Sequence, residues 1–112
     1  MTKNEQMLAA LQQSWSIETS SKWTKDNPAA GQCGVTALVV SDWLGGEILK
    51  TQLPDGWHYY NRIEGIRCDF TASQFSAKIP YSDTPSSREE AFTDTNERQY
   101  ECLKEKVAAA HN

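Results

Sequence analysis

The stretch "QCGVTALVVSDWLGG", residues 32–46, constrains this chain more than any other. Val35, Ala37, Leu38, Val39 and Leu44 leave little polar circumference, so a helix here is buried on several sides and becomes the element around which the others pack. The Gly45-Gly46 pair ends it where a helix needs a residue free to turn left-handed. The β-branched residues keep a strand open as the competing reading, and the paired glycines favour the helix. At 112 residues the chain has material for one modest core, and it reads as a single domain over residues 1–112.

Around that helix the pattern is mixed. Residues 3–16 carry Met7, Leu8, Leu11 and Trp15 at three- and four-residue intervals, with Thr2 and Glu5 spaced for a capping box. From Ser16 to Gly31 the chain is polar and reads as a long loop anchored by Trp23. "EILKTQL" (47–53) reads as a strand, Pro54-Asp55-Gly56 as a turn, and "WHYYNRI" with "IRCDFT" as a hairpin closed by Glu64-Gly65. "TASQF" starts a short helical turn, residues 76–87 lack periodicity, and Thr93 or Asp94 caps a last helix running through about Ala109. The fold class expected is α+β: a central helix packed on a small antiparallel sheet, with a helix at each end.

Charge narrows the function. With 15 acidic against 11 basic residues and a net charge of −4, there is no Lys/Arg cluster to neutralise phosphates, so nucleic acid is not the expected partner. No apolar run is long enough for a signal peptide or a membrane span, so the expected location is cytoplasmic. Three widely spaced cysteines, Cys33, Cys68 and Cys102, suit neither a disulfide framework nor a zinc ribbon. They read as free thiols. Three of Cys33, His58, Asp69 and Cys68 could hold a metal, but without a short-spaced ligand pair neither a metal nor another cofactor is expected.

The chemistry-bearing residues centre on Cys33. At a helix N-terminus its thiolate is favoured by unpaired backbone N–H groups and by the dipole, and Gly31 and Gly34 on either side leave room for a substrate carbonyl. The competing reading is a small apolar residue filling a crowded helix start. Of two histidines, His111 is penultimate, which leaves His58 as the base. With Glu64-Gly65 as the loop, Tyr60 faces Asp69 and His58 faces Thr71. His58 and Asp69 are then diagonal neighbours on one face, with the carboxylate placed to fix the imidazole tautomer. The same register puts Cys68 on the opposite face, in the core.

For an oxyanion the Cys33 N–H is one donor, and Gln32, Asn27 or Gln13 the candidate second. Gln74, at the hairpin's exit, reads as structural. Trp57, Trp23 and Tyr60 are candidates to line a substrate groove, whereas Trp15 and Trp43 read as core. Arg62 and Arg67 lie on the His58 face, as a carboxylate site or as a surface pair. A catalytic reading gives a small-molecule or peptide acyl substrate. The alternative is a binding module with a Trp-rich groove and an inert cysteine.

"NPAAGQCGVTALVVSDWLGGEIL" followed by "WHYYNRIEGIRCDFTASQF" resembles the YunG-like family of small bacterial proteins across roughly residues 14–75. That likeness carries no activity with it. A wider resemblance is to papain-like and transglutaminase-like hydrolases, in which a cysteine at a helix start precedes a histidine and then an aspartate or asparagine on adjacent strands. It implies a core of that type, a Cys33-His58-Asp69 triad and an oxyanion residue six places before the cysteine. Papain-like enzymes have glutamine there, and this chain has Asn27.

Overall fold

The structure is a computed structural model and describes residues 2–111. Its first helix, α1 (Lys3–Ser14), opens on the expected capping box: Thr2 Oγ1 accepts from the Glu5 N–H at 3.1 Å, and Glu5 Oε1 accepts from the Thr2 N–H at 2.9 Å. The central helix α2 (Cys33–Leu44) buries every residue from Cys33 to Val40, and Gly45 closes it at φ 73°.

Three strands follow, β1 (Glu47–Leu53), β2 (Gly56–Ile63) and β3 (Ile66–Cys68), then a 3-10 turn (Ala72–Gln74), β4 (Thr84–Pro85), α3 (Arg88–Ala91) and α4 (Glu97–His111). The sheet is antiparallel in the order β3-β2-β1-β4. Among the described residues this is a small α+β arrangement, in which α2 lies against β2 and α4 packs on both α1 and α2. Val35, Leu38 and Val39 of α2 share one core with Leu11, Tyr59, Ile63, Leu103 and Val107. Asn61, buried on β2, donates from Nδ2 to the Ala37 carbonyl at 3.1 Å and fixes the strand against the helix. No described helix is long and apolar enough to cross a membrane.

The hairpin register is the expected one as far as it runs. Ile63 pairs with Ile66, Arg62 with Arg67 and Asn61 with Cys68, around a turn in which Glu64 and Gly65 both take positive φ. Glu64 therefore occupies the left-handed position that Asn or Asp fills more easily. The pairing stops at Cys68, so the expected Tyr60–Asp69 and His58–Thr71 partners do not form. Asp69 ends the strand itself, because its Oδ1 accepts from the Thr71 N–H at 3.2 Å and bends the backbone away from β2.

Three further expectations need correction. The segment without periodicity, 76–87, contains β4, a two-residue edge that pairs Thr84 with Lys50, and the single-turn α3 follows directly after it. The last helix starts at Glu97 and is capped by Asn96, whose Oδ1 accepts from the Gln99 N–H at 2.8 Å, not by Thr93 or Asp94. Trp43 is 42% exposed instead of core, stacked on His111 at 4.6 Å between centroids, whereas Trp15 is buried and donates to Thr36 Oγ1.

Candidate functional site

A cavity of about 480 Å³ has Cys33, His58, Asn27, Gln74, Asp94 and Trp57 in its wall. The first two come from the start of α2 and from β2, so the packing of that helix on that strand brings the thiol and the imidazole to one space.

The imidazole side is tightly held. His58 is 2% exposed, and its Nε2 lies 2.7 Å from Asp69 Oδ2. Tyr81 donates its phenol to the same oxygen at 2.7 Å, and the Thr71 N–H and Oγ1 donate to Oδ1. Asp69 thus accepts four hydrogen bonds, one of them from the ring. With the carboxylate as acceptor, Nε2 carries a hydrogen, and in the neutral ring the lone pair is then on Nδ1. That nitrogen is buried and has no partner among the described residues. Phe75 meets the ring edge-on at 5.1 Å and fixes its plane. Burial and the neighbouring Asp69 push the Tyr81 phenol well above its ordinary range, so it stays a donor.

The thiol side departs from the expectation of an activated thiolate. Burial first, then the charge of Asp94, pushes Cys33 up to about 12. Its Sγ–H donates to Asp94 Oδ2 at 3.3 Å, and the same oxygen accepts from the Gly34 N–H at 3.0 Å. The positive end of α2 is therefore already taken by a carboxylate, and the cap that Gln32 does not supply comes from Asp94 instead. Burial raises Asp94 as well. Gly34 admits Asp94 and not a substrate: a Cβ there would sit 2.7 Å from the Asp94 carboxylate and 2.9 Å from the Ala91 carbonyl. At Gly31, φ 70°, a side chain would strike Ser20 and Lys22, so its opening is also filled by the chain.

The remaining expected residues divide. Asn27 reaches the cavity, with Nδ2 donating to the Gln74 carbonyl at 3.2 Å. Trp57 lines it too, 42% exposed, with Lys50 Nζ 4.3 Å from its ring. Gln32 does not. It is fully buried, its Oε1 accepting from Thr19 and its Nε2 donating to the Pro28 carbonyl, so both ends of the amide are spent inside the 16–32 loop. Gln13 is exposed on α1 and outside the wall.

Trp23 packs against the core and Tyr60 is 1% exposed, its phenol donating to Asp83 Oδ1 at 2.9 Å and, chiefly by burial, pushed up to about 12. Neither lines the cavity. Arg62 and Arg67 pair with Glu47 and Asp83 on the outer surface. Cys68 is buried, as expected, and all three cysteines are free. Among the described residues, no group of three or more His, Cys, Asp or Glu side chains is placed to hold a metal.

Three residues of this neighbourhood escaped the sequence reading in their actual roles: Asp94, Tyr81 and Gln74. Asp94 carried a signal, a capping residue type before a helix, but it caps a different helix. Gln74 Oε1 accepts from the Gly31 N–H at 3.2 Å, and its Nε2 is buried without a partner among the described residues.

Comparison with known proteins adds the family. A model described as YunG protein matches residues 3–112. A protein of Bacillus subtilis (strain 168), named Uncharacterized protein YunG, is 59% identical over 95 residues, covering 85% of this chain and 83% of that protein. No solved structure matches the chain.

Proposed function

The chain belongs to the YunG family, and we propose that it is a cysteine-dependent hydrolase or acyltransferase acting on an amide, peptide or thioester. One observation carries the reading: a buried histidine, oriented through Nε2 by an aspartate that three other donors hold, keeps an unpartnered Nδ1 in a ring that walls the same cavity as a cysteine at a helix start. The arrangement resembles that of papain-like and transglutaminase-like hydrolases, and the proposal extends to a short core of that kind.

In the reaction, Cys33 turns from Asp94 to His58 and passes its proton to Nδ1. The sulfur forms a bond to the acyl carbon as the carbonyl π pair moves onto oxygen. That pair returns, the bond to the leaving group breaks, and the imidazolium protonates the departing nitrogen or sulfur. A water, or an acceptor amine or thiol, then loses its proton to Nδ1 and attacks the thioester. The sulfur leaves and takes the proton back. Asp69 keeps its charge throughout and stabilises the imidazolium. The apolar walls supplied by Trp57, Phe75 and Ile79 suit the acyl portion of a small molecule or peptide. A cytoplasmic location belongs to the same reading.

A second reading, a binding module with an inert cysteine, draws on the thiol's proton being held by Asp94. Intact-mass analysis after exposure to an acyl thioester separates the two. The expected result is an acyl adduct on Cys33 that decays with release of acid and is missing from Cys33→Ser. A wild-type chain that carries no adduct and releases no acid, yet still binds the thioester, sinks the catalytic reading.

A further inference from the structure

We infer that Gln74 is the side-chain oxyanion donor of this site, an inference that rests on the catalytic reading above. The amide orientation is fixed by its anchor. A backbone N–H can only donate, so the atom facing Gly31 N at 3.2 Å is the oxygen, and Nε2 with its two hydrogens is the other end. The amide is thereby tethered two residues before Cys33, on the rim of the same cavity.

Nε2 is shielded from solvent and donates to nothing among the described residues. Leaving such a donor unpaired is costly, and an amide that could swing to solvent would avoid that cost. This one is restrained at both ends of its residue: Asn27 Nδ2 donates to the Gln74 carbonyl, and the Gln74 N–H donates to the Thr71 carbonyl at 3.1 Å. The 3-10 turn that carries it starts three residues after Asp69, so one short stretch of chain presents both the histidine's acceptor and the free amide.

When sulfur bonds to the acyl carbon, negative charge gathers on the former carbonyl oxygen. A fixed N–H donor next to the nucleophile stabilises that charge more than it stabilises the neutral carbonyl. Gln74 Nε2–H makes this hydrogen bond beside the backbone N–H of Cys33. The other amides do not compete: Gln32 is spent, Gln13 is elsewhere, and Asn27 is committed to holding Gln74.

Two reagents on the full chain isolate the role. p-Nitrophenyl acetate acylates a thiol through a tetrahedral oxyanion, whereas iodoacetamide alkylates it by direct displacement at carbon. Gln74→Ala is expected to slow acylation of Cys33 on the order of 10²-fold while alkylation stays within about threefold. Gln74→Met keeps the length of the side chain, adds no charge beside the thiol and loses the donor, so it should show the same selective loss of acylation, with melting curves to check that both variants are folded.

Acylation that survives either substitution, or that falls in step with alkylation, overturns the assignment and leaves the catalytic reading standing. Wild-type Cys33 that is alkylated but never acylated brings down the catalytic reading, and this inference with it.

Discussion

The two sides of the cavity are built to opposite ends. On the β2 side, His58 is oriented by Asp69, which accepts from Tyr81 and Thr71 as well, and its second nitrogen is left open. On the α2 side, Cys33 spends its proton on Asp94, and the same carboxylate covers the helix start that should have activated it. Two aspartates therefore have contrary effects: one orients an imidazole and leaves its far nitrogen open, and the other holds a thiol's proton. Burial of the thiol, first, and the carboxylate beside it, second, outweigh the helix N-terminus, and the carboxylate also consumes the Gly34 N–H.

That contrast can be broken from either side. The largest effect is expected at Asp69→Asn, where an amide N–H₂ facing Nε2 reverses the imidazole tautomer and fills Nδ1 with a hydrogen. Single-turnover acylation of Cys33 should fall roughly 10³-fold or more. Asp94→Asn should act the other way, since its amide oxygen still caps Gly34 while the charge against the thiol is gone. Iodoacetamide labelling at pH 8 should speed up on the order of tenfold for each unit by which the thiol falls back towards its ordinary value. If both substitutions slow their reactions, the two sides are not opposed in the way described.

Alkali gives a finer test. In the unfolded chain the Cys33 thiol ionises from about 9, whereas in the folded protein it holds its proton to about 12. Its contribution to stability is thus complete below pH 9 and is lost as pH rises through that window. Denaturant titrations of wild type and Cys33→Ser between pH 9 and 12 should differ in slope by up to ~1.4 kcal/mol per pH unit, the wild type falling faster. Tyr60 and Tyr81, shifted in the same direction, are common to both proteins and cancel. The smallest effect belongs to Gln13→Ala, on the exposed face of α1, which should leave acylation and alkylation unchanged within error.

What the sequence made legible was what local chemistry decides. Continuous apolar residues ended by two glycines gave α2, and a two-residue turn fixed the hairpin register as far as Cys68. Pairing His58 with Asp69 was also within reach, although the route was wrong. The strand fails after Cys68, and Asp69 meets the ring from a bend instead of from a diagonal ladder position. Asp94, Tyr81 and Gln74 were out of reach for one shared reason. Each acts on a residue far along the chain through a single side chain, and such a contact leaves no period or spacing to read. Trp43 shows the complementary failure, because an apolar residue type does not say which helix face outlasts the neighbours available to cover it.

Asp94 closes the first turn of α2 from 60 positions further on. During synthesis, the segment that bears the thiol is translated before the residue that caps it. A chain ending between β2 and α3 would still lack the carboxylate that caps this helix start in the finished molecule. The carboxylate that holds the thiol's proton thus joins the helix start only after all four strands have been made.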